Sequence, residues 1–147
     1  MVAGALDYVR ILAGRGAALY LASGSDHADV AREAGVLGLE PYFTGGIYGA
    51  LDGDETHAKE RVIQAILDDH QLAGSELLVV GDGPVEIREA VSRQAIALGV
   101  ASDEVARSGW NEHKTERLIS AGADLLVADF SQASQLVEIL LGVPAAP

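Results

Sequence analysis

Gly81-Asp82-Gly83-Pro84-Val85-Glu86 is the stretch with the clearest chemical content. Asp82 ends a strongly apolar run, so its carboxylate falls at the carboxyl edge of a strand. Glu86 follows four residues later, in the first turn of the next helix. Two carboxylates so placed suit a hard divalent cation such as Mg²⁺, which takes oxygen ligands and keeps part of its water. The plainer reading is a loop aspartate followed by a glutamate that favours a helix N-terminus.

Ser23-Gly24-Ser25 stands where another apolar run gives way to a helix. Free backbone N–H groups at such a junction attract anions, Gly24 permits close approach, and Ser23 adds a hydroxyl donor. A simple helix cap by Ser25 or Asp26 would use the same residues. Lys59 falls in the first turn of its helix, where the helix dipole disfavours a cation unless a fixed anion lies nearby. A solvated surface lysine is the alternative. Asn111, His113 and Lys114 follow a further strand end and could reach the same edge.

These residues need a scaffold that gathers strand ends. Leu6, Val9 and Leu12 give an opening helix within residues 3–14. Apolar runs at residues 17–22, 76–80, 96–100 and 124–128 read as buried parallel strands. Tyr42 to Leu51 reads as a short strand or hairpin. Helices are expected from Asp26 to Leu37, Thr56 to His70, Pro84 to Arg93, Asn111 to Ser120 and Gln132 to Leu141. In the helix to His70, Ala58, Val62, Ala65 and Ile66 form the apolar face. Strands alternating with helices imply an α/β, doubly wound parallel sheet, whose ligands bind outside the carboxyl ends of the strands. One domain is expected over residues 1–142, with a disordered tail at 143–147.

Composition narrows the function. The 147 residues carry a net charge of −12, with ten scattered basic residues, which excludes a nucleic-acid surface. No apolar run is long enough to span a bilayer, so no membrane role is expected. The chain has no cysteine, hence no thiol nucleophile or thiolate metal site, and a reducing cytoplasm fits. His27, His57, His70 and His113 have neither metal-ligand spacing nor triad order, and read as surface or local hydrogen-bonding groups. Asp52, Asp54 and Glu55 read as a solvated acidic loop rather than a calcium site. No Gly-x-Gly-x-x-Gly follows any strand, which sets a dinucleotide fold aside. A response-regulator receiver fails too, because no lysine follows Asp129.

Taken together, these segments resemble the haloacid dehalogenase superfamily, most of whose members are Mg²⁺-dependent phosphatases. Ser23 matches the hydroxyl of the second motif, which binds the phosphoryl group. Lys59 matches the lysine of the third motif, which steadies nucleophile and phosphate. Asp82 with Glu86 matches the acidic pair of the fourth motif, which holds Mg²⁺. The resemblance covers nearly the whole chain and implies a Rossmann-like core acting on small phosphorylated molecules. It also implies a gap: the family's first motif, an Asp-x-Asp on a central strand, has no counterpart here. Asp7 lies in a helical pattern without a partner at that spacing. An isolated chain without this nucleophile is expected to be inactive and to bind Mg²⁺ weakly. The strands ending at Ala22 and Val80 would then flank an empty position. Direct pairing, a second copy of the chain or a complementing N-terminal segment would each close it. With 33 residues between Ser25 and Lys59, no full cap domain fits there, and substrate identity is unreadable.

Overall fold

The computed structural model describes residues 1–51 and 57–142. The acidic loop at Asp52, Asp54 and Glu55 and the tail at 143–147 lie outside the described residues. The chain runs α1 (Ala5–Gly14), β1 (Tyr20–Asp26), α2 (His27–Val36), β2 (Gly46–Ala50), α3 (Ala58–His70), β3 (Leu78–Gly81), α4 (Pro84–Ser92), β4 (Ile96–Val100), α5 (Glu112–Ala121), β5 (Leu125–Val127) and α6 (Ala133–Leu141). Single 3₁₀ turns at Glu40–Tyr42 and Gly74–Glu76 precede β2 and β3.

All strand pairs are parallel, as the alternation of elements requires, but they form two ladders. One is β1-β2 and the other is β3-β4-β5. The segment read as a strand or hairpin around Tyr42 to Leu51 contains one strand, and it pairs parallel to β1. β1 and β3 each have a ladder partner on one side, and among the described residues neither is paired to the other.

Alternation along the longer sheet explains its two helical layers. Leu98 and Val100 of β4 join Tyr8 and Leu12 of α1 and Leu136 and Val137 of α6 in one core, with Leu78, Leu125 and Val127 against it. The opposite face packs Ala97 against Ile87 and Ala90 of α4 and Leu118 and Ala121 of α5. Leu19, just before β1, also packs into the first core. Helix α3 packs on β1 and β2 and also touches α4. Of the apolar face expected on α3, Ala58 and Ile66 are buried, Ala65 is exposed, and Ile63 is buried instead. Among the described residues no helix is long and apolar enough to cross a membrane.

The expected turn at Ser23-Gly24-Ser25 is instead a bulge within β1. Ala22 pairs with Tyr48 and Asp26 with Ala50, so Gly49 alone opposes the three residues Ser23 to Ser25. The helix begins after it, with Asp26 as cap. Gly49 is required there: a Cβ would lie 2.5 Å from Cα of His27.

Candidate active site at the carboxyl edge

Parallel strands bring their carboxyl ends to one edge, and each following helix starts there. In the β3-β4-β5 ladder the ends of β3 and β4 and the first turns of α4 and α5 therefore lie on one side, and the contact between Lys59 and Glu86 brings the first turn of α3 to it. The charged residues on these elements meet in defined pairs.

Glu86 folds back over the β3–α4 turn. Its Oε1 accepts the Gly83 N–H at 3.2 Å, satisfying a donor that the start of α4 leaves free. Pro84 occupies the first helical position, where its missing N–H costs nothing. The other oxygen, Oε2, lies 3.2 Å from Nζ of Lys59. The Glu86 side chain is 10% exposed and that of Lys59 32%. Gly81 makes this fold-back possible, because a Cβ there would lie 2.1 Å from Cγ of Glu86.

Asp82 follows the end of β3, and its carboxylate is mostly exposed. Its Oδ2 lies 3.4 Å from Nζ of Lys114, which also lies 3.2 Å from Oε1 of Glu104. The Lys114 side chain is 11% exposed, although both carboxylates it meets face solvent. Lys114 is in the first turn of α5, whose cap is Asn111; the Lys114 amide donates to Oδ1 of Asn111 at 2.9 Å. Lys59 and Lys114 thus share an arrangement. Each is a cation in the first turn of a helix, where the dipole opposes it, and each lies against a carboxylate, Asp82 in the β3–α4 turn for Lys114 and Glu86 in the first turn of α4 for Lys59.

Ser23 lies on β1, the strand against which α3 packs, and its Oγ accepts the Ser25 N–H at 3.1 Å. Gly24 lies beside it in the bulge. The first N–H groups of α2 are already engaged: those of Ala28 and Asp29 donate to Oδ1 of Asp26 at 2.9 and 3.4 Å. The start of α2 is therefore capped by its own Asp26, and Ser23 and Gly24 lie in the bulge before it.

The donors fit a divalent cation in a restricted way. Among the described residues no three His, Cys, Asp or Glu side chains converge as a metal cage. Glu86 is committed to Gly83 and Lys59, whereas Asp82 has only Oδ2 engaged among the described residues. One exposed carboxylate supplemented by water and a phosphate oxygen is a donor set that Mg²⁺ accepts. A shallow groove lined by Pro84, Arg88, His113, Glu116, Arg117 and Ser120 opens between α4 and α5, and no member of the charged pairs lines it.

The other aspartates near this edge are tied to backbone. Asp103 accepts the N–H groups of Val105 and Ala106. Asp129 accepts those of Gly109 and Ser131, and hydrogen bonds from Ser131 hold its carboxyl below the ordinary range. Asp7 lies on α1 beside Arg10. His70 bonds the Tyr20 hydroxyl at 2.6 Å. Glu104 is the member of the charged cluster that sequence alone does not mark. A lone glutamate in the connection between β4 and α5 carries no periodicity or spacing that would single it out.

Comparison with known proteins agrees with this fold. No curated protein matches the chain. A haloacid dehalogenase-like family hydrolase from Streptococcus pneumoniae superposes with a TM-score of 0.69 at 20% identity, covering 91% of this chain and 57% of that one. A predicted phosphatase from Clostridium acetobutylicum gives 0.71 at 20%, covering 92% and 59%. A predicted phosphoglycolate phosphatase from Haemophilus somnus gives 0.72 at 16%, covering 92% and 56%. The chain spans less than two thirds of the length of each. Residues 1–92, which hold the serine bulge, Lys59 and the Asp82–Glu86 turn, match the family described as haloacid dehalogenase-like hydrolase. With a parallel α/β core and that match over more than half its length, the chain belongs to the haloacid dehalogenase-like hydrolases.

Proposed function

We propose that this chain is a phosphohydrolase-type domain that binds a small phosphorylated molecule through Ser23, Gly24 and Lys59, and a weakly held Mg²⁺ through Asp82. The observation that carries the reading is the Lys59–Glu86 pair beside the exposed Asp82, at the edge where parallel sheets bind ligands. Lys59 supplies positive charge to a phosphate that the net charge of −12 would otherwise repel. Glu86, given to Mg²⁺ with Asp82 by the family resemblance, acts here through Lys59 and the Gly83 amide. Mg²⁺, when bound, would neutralise phosphate oxygens.

Hydrolysis by these 147 residues alone is not expected. Asp26, Asp103 and Asp129 each serve as backbone caps and Asp82 lies 3.4 Å from Lys114, so none of these four carboxylates stands free as a nucleophile. Incubating the chain with 4-nitrophenyl phosphate and Mg²⁺ tests this. The reading requires no turnover, together with inorganic-phosphate binding that weakens in Lys59→Gln. Turnover that Asp82→Asn abolishes would show instead that the chain hydrolyses phosphate esters unaided.

A second reading has its own observation. β1 and β3 each carry a single ladder partner, and Val80 of β3 is 39% exposed despite its apolar side chain. An open apolar edge of this kind takes an added strand. A second copy of the chain or a complementing N-terminal segment would supply it, and no nucleic acid is needed. Sedimentation of the chain at increasing concentration separates a self-associating form from a monomer that awaits such a segment. The cysteine-free composition suits a cytoplasmic setting.

A further inference from the structure

Lys114 takes no part in the phosphate and cation contacts proposed for this edge, yet it is the most buried charged side chain there apart from Glu86. Its ammonium is shared between Asp82 Oδ2 at 3.4 Å and Glu104 Oε1 at 3.2 Å. Neither pair is tight, and both carboxylates belong to turns that follow strand ends. Glu104 is on a defined connection: the Val105 and Ala106 amides bond Asp103, and Ser102 bridges to Trp110. The ammonium therefore has two fixed anchors, one of which is the carboxylate with an oxygen left for a cation.

We infer that Lys114 is a built-in counter-ion for Asp82 that sets how tightly a divalent cation binds there, moving onto Glu104 when the cation arrives. This rests on the assignment of Asp82 as the cation ligand. The physical basis is charge competition. An ammonium touching one oxygen of a carboxylate lowers the attraction of that carboxylate for a second cation, and burial of the lysine stem keeps the charge in place. Glu104 supplies the alternative partner, so the ammonium is not left unpaired when Asp82 turns to the cation. A lysine with a purely structural role would act the other way, since its loss would disorder Asp82 and weaken binding.

Mn²⁺ alone is the probe, with the bound fraction read by electron paramagnetic resonance on the full chain. Replacing the ammonium in Lys114→Gln is expected to tighten Mn²⁺ binding by about tenfold, the factor that corresponds to one modest charge interaction. Lys114→Met, which keeps the buried stem, should do the same and serves if the glutamine variant folds poorly. Lys114→Arg keeps the charge and should stay near wild type. Glu104→Gln should weaken binding, and Arg117→Gln, an exposed charge one turn along α5, should change it by less than about twofold. Unchanged or weaker binding in both uncharged variants, with Asp82→Asn still abolishing it in the wild-type background, would overturn this inference alone. No Mn²⁺ binding in any form would overturn it together with the Asp82 assignment.

Discussion

The ammonium of Lys59 lies 3.2 Å from Oε2 of Glu86, while the other oxygen of that carboxylate receives the amide of Gly83. One side chain thus closes the β3–α4 turn and anchors α3 to α4. Glu86→Gln would keep the contact with Gly83 and remove the charge that offsets Lys59. Lys59 is a third exposed, so the loss is smaller than the roughly 3–5 kcal/mol of a fully buried pair. We expect about 1–2 kcal/mol, read as a lower urea midpoint with an unchanged slope. A double-mutant cycle with Lys59→Met isolates the pair; zero coupling would show that the two charges do not interact in solution.

Gly81→Ala tests the fold-back itself. The added Cβ would meet Glu86 Cγ at 2.1 Å, and Cγ is too near the backbone to swing clear without changing rotamer. Glu86 must then leave Gly83 or Lys59. The expected cost is about 1–3 kcal/mol, with a matching fall in phosphate binding. A variant with wild-type stability and phosphate affinity would show that the Glu86 geometry is not required.

Much of this architecture is legible in the sequence, for reasons that differ by element. β4 is readable residue for residue, because Ile96 to Val100 is apolar on both faces and bounded by breaks. The start of α4 follows from Gly-Pro with a glutamate at the third helical position. The serine loop does not, since Ser-Gly-Ser composes a turn and a bulge equally well and only the Gly49 pairing partner distinguishes them. The two-ladder division is legible through the family resemblance rather than through periodicity, which says nothing about strand order. For Glu86, spacing shows where a carboxylate sits, and the structure adds that the Gly83 amide and the Lys59 ammonium lie against its two oxygens. The Lys114–Glu104 contact joins residues from a loop and a helix start whose approach is set by tertiary packing alone.

Arg93 ties α4 to α3 away from the strand ends. Its guanidinium reaches Glu89 on its own helix, lies 3.7 Å from Glu60 and donates to Gln64 at 3.0 Å, with its side chain 16% exposed. Arg93→Ala is expected to lower stability by about 1 kcal/mol through lost packing and hydrogen bonds together. Because α3 also carries Lys59, the same variant should weaken phosphate binding modestly. Arg93→Lys should recover little, since an ammonium cannot reach three partners in the guanidinium's fixed plane. Full recovery by lysine would mean that charge alone holds the helices together.

Tyr8 offers a test of the core beneath the site. Its ring stacks on Phe130 at 4.5 Å, and its hydroxyl is buried without a hydrogen-bond partner among the described residues. Burial pushes the hydroxyl up to about 12, from 10.0. The folded state thus holds its proton to higher pH than the unfolded chain does. Between roughly pH 10 and 12 the unfolded chain binds fewer protons, so stability falls as pH rises through this window and is fully present below it. Tyr8→Phe removes the unsatisfied hydroxyl while keeping the stacked ring. At pH 7 it should be neutral or stabilising by up to about 1 kcal/mol. Above pH 10 its advantage should widen, because the variant lacks the ionisation that draws the wild-type chain toward unfolding. Urea titrations of both proteins at pH 7, 9 and 11 read the difference. A phenylalanine variant that loses more than about 1 kcal/mol at pH 7 would show that the hydroxyl has a partner in solution, and the alkaline prediction would fail with it.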